Sequence, residues 1–515
     1  MQSISTGGWD TIYAVRLNTL NRTIAAQLAS GKLNFGSVNQ SGVFGTYCAS
    51  VTELELIGDP GESGTNVAMR ISLAAGTIDS KPVGAVTVIG TASLEQLEDA
   101  ELVRILLNPP DIFEVSTVAG EALSGMQSAA ISDAINNFIK ANPTMLSLAL
   151  ASIDKQSPLS DALPWLSPVT VRHCLSGGKD VHGNADRGTV FAILAMTSPF
   201  IATNPAPPAT FDGALLADAD DGAFLLSSSK FTRHVLFPGI ANGLFRPDPA
   251  FTEAQLQECE RDHLSVDEAA CTVRMRAGSP LIALKTMTVD VSPLYGIFAS
   301  ALTMPIILPE AIAALGATVV YSLIEHHSPN LLLPVTVALE GVAITRAGNR
   351  FTFTTKACCE LNMGSVNLAT VRLTNQTDYQ LVMHEDGSMT FVAIEGSAFT
   401  SAPDVSAPDW LQKLGNLAEV VAVIVGVMAT VLTEGNASVM VGLTIALISA
   451  EIKITPQLVA KSLGYSTGVA LPAQLETFLV NAIAPVTWLG GGSFDAPSLR
   501  LDADLAITGP FGAVK

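Results

Sequence analysis

The chain has 515 residues, 48% of them hydrophobic and only 14% charged, with a mean hydropathy of +0.41 and a formal net charge of -20. So apolar a composition excludes a disordered chain, and so acidic a one argues against nucleic acid, whose phosphates need clustered lysine and arginine. The length asks for two or three domains.

No segment reads as a membrane span. Residues 188–211 and 291–309 are free of charge but broken by prolines, and the apolar run 420–432, between Glu419 and Glu434, falls short of the roughly 20 residues a crossing needs. The apolar surplus is therefore expected to be buried inside, shared with a partner, or used to line something apolar. No basic residue precedes Arg16, so no secretory signal is expected. Six cysteines without a framework spacing fit a reduced cytoplasm at the point of synthesis, with release by a signal-independent route left open.

The chain opens on a predicted helix. Tyr13, Leu17, Leu20, Ile24 and Leu28 fall three and four apart, Asp10 sits where an N-cap acceptor belongs, and Gly31 where the helix ends. Trp9, beside that capping residue, reads as a packing anchor. Alternating segments at 52–57, 67–73 and 83–89 follow as antiparallel strands, with a helix at 126–141 stopped by Pro143. Strands at 145–153, 169–174 and 189–196 lead to a proline-rich linker at 204–210. Beyond it the pattern continues with a helix at 229–245, strands at 271–277 and 281–291, and a helix at 310–324. Two hairpins come next, one turning at Ala347-Gly348-Asn349 and one at Asp386-Gly387. Long apolar helices at 408–432 and around 474–484 precede a last strand at 499–507.

Helices apolar nearly all round must be wrapped on several sides, and a strongly curved antiparallel sheet does that. This predicts an α+β fold of long curved sheets around long apolar helices. The alternative is a large α+β protein with a dry, fully packed core.

Motifs with catalytic or metal chemistry fail on context. Gly464-Tyr465-Ser466-Thr467-Gly468 matches a nucleophile elbow, but a helix precedes the serine and no histidine follows His384. Asp218-Ala219-Asp220-Asp221-Gly222 has its glycine one position early for a calcium loop and no twelfth-position glutamate. Cys259, His263 and Cys271 lack a C-x-x-C spacing, and Glu325-His326-His327 reads as a helix end. Cys358 and Cys359, adjacent in a strand, point to opposite faces and pack as small apolar groups. The loop 58–64 is glycine-rich but acidic. The densest cationic cluster, Lys230, Arg233 and His234 with Arg246 further on, is the candidate headgroup site, weighed against a solvated helix face.

Gly8-Trp9-Asp10-Thr11, running into Ile12-Tyr13-Ala14-Val15 and then Leu17-Asn18-Thr19-Leu20-Asn21, resembles the opening of the OrfX-type accessory proteins of clostridial neurotoxin gene clusters. Gly222-Ala223-Phe224-Leu225-Leu226-Ser227 with Leu236-Phe237-Pro238, and the run 478–483 through Trp488, are similar to the same family. The resemblance implies the TULIP (tubular lipid-binding) fold, usually two modules. It also implies a bacterial, toxin-associated setting and lipid or membrane interaction without catalysis.

The expectation is thus a non-enzymatic lipid-binding protein with an N-terminal module at 1–205 and a C-terminal module at 206–515, the terminal helices open to being shared. Candidate lining residues are Ile297, Phe298, Val421, Ile424, Val425, Met428, Val441, Ile445 and Ile448. No metal and no cofactor is expected. Partners are a lipid or fatty acid, a membrane surface contacted peripherally, and toxin-cluster proteins. The rival expectations are a solid-cored interaction component of a toxin-type complex, and a toxin subunit that inserts into membranes through 291–324 or 408–450.

Overall fold

The computed structural model describes residues 5–58, 66–108, 113–143, 148–155, 164–176, 189–197, 208, 211, 216, 221–245, 251–290, 309, 312–313, 332–363, 366–383, 389–397, 399–400, 404–407, 486–491, 493–494, 498–501 and 504–512. They form a sheet-dominated α+β fold built mostly of antiparallel pairs. The chain divides into two compact units. One draws on Met1–Lys230, Met383–Ser388 and Ala473–Lys515, the other on Phe231–Val382 and Met389–Pro472.

The first unit contains a six-stranded sheet with β1 (Thr11–Arg16) near its middle. Its neighbours are Val190–Thr197 on one side and Gly222–Leu226 on the other. Here the structure corrects the predicted helix, which does not begin until Leu17 (α1, Leu17–Ala29). All six residues of β1 are buried, so a strand in which Thr11, Ile12, Tyr13 and Val15 are β-formers is covered on both faces, a pattern that periodicity cannot separate from a helical stripe. Ile12 and Ala14 point into one core with Trp9, Cys174, Ala192, Leu194, Leu225 and Ala506. On the other face Tyr13 meets Phe224, ring centroids 5.3 Å apart.

The sheet ends on a second correction. The alternation over 499–507 is a hairpin, not one strand: Ser498–Leu501 pairs back on Leu505–Gly509, which in turn pairs with Gly222–Leu226. Leu501 lies opposite Leu505, so the apolar alternation survives the turn and hides it. Asp504 fastens the hairpin, accepting the backbone N–H of Thr6 and of Ser228, each at 2.7 Å.

A ten-stranded sheet completes this unit, including β2 (Ser37–Gly42), β3 (Gly45–Gly58) and β4 (Asn66–Leu73). Two of its strands change partner along their length. β3 pairs with β2 over 45–50 and with β4 beyond, through bulges at Val51/Glu53 and Leu56/Gly58. The strand Val86–Glu98 pairs with β4 along one edge, and along the other first with Glu114–Gly120 and then with Leu102–Asn108. Bulges and split pairings curl a sheet, and this one curls around α2 (Gly125–Ala141). The helix starts at Ser124, whose hydroxyl and the Gln127 side chain make a reciprocal capping box. Ala130, Ile131, Ala134, Ile135, Phe138 and Ile139 form its buried stripe.

The second unit is built on a nine-stranded sheet with three long neighbours, Leu332–Ala347, Arg350–Met363 and Val366–Met383. The predicted hairpin at Gly348 is there, Ala347 pairing with Arg350; Met389–Ala393 lies beside Val366–Met383, but the predicted turn at Asp386-Gly387 lies outside the described residues. Phe351 and Phe353 meet Phe391 edge-on, ring centroids 4.9 and 5.6 Å apart, and Phe353 lies tilted against Tyr379 at 4.6 Å. Cys358 and Cys359 are both buried, and burial raises their thiols to about 11 and about 12. The predicted helix at 229–245 is present but widens into a π turn over Thr232–Leu236, where Phe237 N–H reaches back five residues to Thr232 O. Pro238 explains it: it has no N–H for the carbonyl of His234, and its ring needs room in that turn. A short helix Glu253–Asp262, capped by Thr252 and Gln255, joins this unit. The predicted helices at 310–324, 408–432 and 474–484 lie, wholly or nearly so, outside the described residues.

Candidate lipid-binding face

An apolar concave surface lies where the curled sheet meets α2. Phe35, Val38, Val51, Leu54 and Ile71 from the sheet side face Ile135, Phe138 and Ile139 of the helix. The space left between them is about 10 Å³, at or below what one water needs. At this point the helix itself fills the hollow of the curled sheet, and no acyl chain fits beside it. Sequence reasoning predicted α2 and the strands but did not single out this face. Its residues come from segments a hundred positions apart, and each taken alone is an ordinary core residue.

The nine candidate lining residues, Ile297, Phe298, Val421, Ile424, Val425, Met428, Val441, Ile445 and Ile448, lie outside the described residues, as do Ser466, His326 and Arg246. The headgroup candidates are within them. Lys230 is buried, with Nζ 3.5 Å from Asp10 Oδ2. In the second unit the Arg233 guanidinium is bonded to Glu260 through Nη1, and its Nε lies 3.0 Å from Glu268. Burial works to lower the Arg233 pKa, but Glu260, Glu268 and Glu253 outweigh it and raise it. His234 is half-buried. Lys230 and Arg233 are thus each held by carboxylates within their own unit, and a phosphate would have to compete with those partners.

The Gly8-Trp9-Asp10 motif is structural. Trp9 is 1% exposed and its indole N–H donates to Pro208 O at 3.0 Å. Asp10 does not cap a helix; it accepts from the backbone N–H and hydroxyl of Thr197 at 2.8 and 3.2 Å, because the residues after it are a strand.

One polar side chain stands out in the apolar interior. His173, on Pro168–Ser176, packs against Phe191 at 6.4 Å, and Phe191 in turn meets Trp488 at 6.1 Å. Neither imidazole nitrogen has a hydrogen-bond partner among the described residues. Burial, with the Arg172 charge adding to it, lowers the His173 pKa to about 4, so the ring is neutral at pH 7. Among the described residues no three His, Cys, Asp or Glu side chains converge as a metal site, and no helix is long and apolar enough to cross a membrane.

No protein-family model matches the chain, and no curated protein matches its sequence. Its structure is similar to that of P47 from Clostridium botulinum A2, with a TM-score of 0.59 and 11% identity over 99% of this chain and 98% of that one. P47 of Clostridium botulinum E1 is similar to the same degree, with a TM-score of 0.59 and 12% identity over 98% and 99%. A lipopolysaccharide binding protein aligns with a TM-score of only 0.27, too slight a likeness to bear on the reading. The chain therefore shares, over its whole length, the fold of the clostridial P47 proteins.

Proposed function

We propose that this chain is a non-enzymatic lipid-binding protein, built from two tubular modules of the TULIP kind and working in a toxin-associated setting. The observation that carries the reading is architectural: a curled sheet packs over the apolar stripe of α2 with no acid–base group among the facing side chains, and because the gap there is filled, the acyl site is placed elsewhere in the chain. The P47-like fold supports the architecture, and the resemblance of Gly8-Trp9-Asp10 to OrfX-type proteins supports the setting. The candidate acyl-lining residues are Val421, Ile424, Val425, Met428, Val441, Ile445, Ile448, Ile297 and Phe298, chosen from the sequence. Each methylene taken out of water there contributes about 0.8 kcal/mol.

A second reading has a specific observation behind it. The gap at α2 is about 10 Å³, and a module filled this way throughout is a solid scaffold that docks onto toxin-cluster proteins. Uptake of a fluorescent phospholipid from vesicles by the purified chain, read after separating protein from vesicles, tests the choice. Stoichiometric label on the protein supports the carrier; an unlabelled protein favours the scaffold.

A further inference from the structure

The tip of the β2–β3 hairpin places two large apolar side chains at the surface of the described residues. Its loop is only Val43-Phe44, between the paired Gly42 and Gly45. Val43 is 87% exposed and Phe44 48%. Two-residue hairpin loops favour Asn, Asp and Gly, so a valine and a phenylalanine here run against local preference.

The tip is nevertheless held firmly. Val43 N–H donates to Asp133 Oδ2 of α2 at 2.7 Å, and Thr46 N–H to Asp79 Oδ1 at 2.8 Å. The hydroxyls of Ser41 and Thr46 lie 2.8 Å apart across the strands. The two glycines make room for the carboxylates: a Cβ on Gly42 would sit 2.1 Å from Asp133 Oδ2, and one on Gly45 2.6 Å from Asp79 Oδ2. A third exposed apolar residue lies toward the same end. Met126 of α2 is 70% exposed and seven residues before Asp133, which puts it on the same stripe of the helix about 10 Å further toward its N-terminus. β2 runs that way too, from Val38 beside Ile135, Phe138 and Ile139 to Val43 beside Asp133.

We infer that Val43, Phe44 and Met126 form a membrane-docking tip on the first unit, and that its partner is a zwitterionic, choline-headed bilayer surface. The shape is a convex knob, made to enter a soft surface instead of receiving a ligand. The Val43 and Thr46 N–H groups are already bonded within the protein, so entry into an apolar layer does not strand them. Charge selects the surface. Asp79 and Asp133 stand at the base of the tip in a chain of net charge -20, which repels anionic lipid. They suit the trimethylammonium groups that lie outermost on phosphatidylcholine, with the Phe44 ring available for a cation–π contact. This inference does not rest on a lipid being carried inside, and vesicle binding is read separately from cargo.

The test is co-sedimentation of the full chain with phosphatidylcholine vesicles and with vesicles containing phosphatidylglycerol. Three chains are compared: wild type, V43D/F44D, and F44W, whose indole emission shifts to the blue on entering lipid. The expected result is binding to phosphatidylcholine, weaker binding with phosphatidylglycerol, a blue shift for F44W, and a loss of at least about tenfold for V43D/F44D. Both positions are exposed, and an unchanged melting temperature confirms that the aspartates leave the fold intact. Wild type that fails to sediment, binding that V43D/F44D does not reduce, or a preference for phosphatidylglycerol would each overturn the inference. So would sedimentation equilibrium showing that V43D/F44D removes a dimer and leaves vesicle binding intact.

Discussion

His173 is the residue whose environment departs furthest from its chemistry. Burial against Phe191 holds its pKa at about 4, while an unfolded chain protonates near 6.5. Between those values the unfolded state binds the extra proton. The His173 contribution is therefore fully present above pH 6.5 and is lost as pH falls toward 4, a swing on the order of 2 kcal/mol. His173→Leu keeps the apolar contacts and removes the proton site. The expected outcome is that its stability relative to wild type improves between pH 7 and pH 4.5 in urea titrations; parallel pH profiles for the two chains would show that the ring is not protonated on unfolding. Asp504 is the opposite case, a carboxylate that two buried backbone donors require. Asp504→Ala removes the acceptor of both and is expected to cost about 3 kcal/mol, read as a lowered thermal midpoint. Neither residue announces itself in the sequence. Asp504 sits in an alternation that looks like a strand, and His173 is one histidine among seven.

At the scale of elements, legibility followed how local the signal was. α2 was predicted to within a residue, stopped by Pro143; the Ser124–Gln127 capping box that starts it lies within the same twenty positions and was a local signal left unread. The hairpin at Gly348 was legible from its turn. β1 was misread as helix, because burial on both faces erases the two-residue period that marks a strand. The partner changes of β3 and of Val86–Glu98, which curl the sheet, have no local signature at all. The face they build against α2 is testable through Ile135. With only about 10 Å³ free beside it, Ile135→Ala opens a cavity and is expected to cost about 3 kcal/mol. Chemical denaturation checks the cost. Recovery of that loss on adding a long-chain fatty acid would mean the helix–sheet gap accepts an acyl chain; no recovery means it is sealed core.

For the whole molecule, composition pointed to an apolar interior before any motif did, and the sheet-dominated fold shared with clostridial P47 agrees with that. The candidate site was less legible. Its lining residues were chosen by hydropathy from segments outside the described residues, while the apolar face the structure does assemble is made of residues with no hydropathy peak. The headgroup candidates were chosen by charge alone, which cannot reveal that Lys230 meets Asp10 or that Arg233 meets Glu260 and Glu268. The most direct test of the central proposal is mass spectrometry of organic extracts from the purified chain, paired with native mass spectrometry of the same preparation. The account predicts a lipid or fatty acid in fixed proportion to protein, seen as a mass increment on the intact chain. A bare intact mass with no lipid above background in the extract would contradict it.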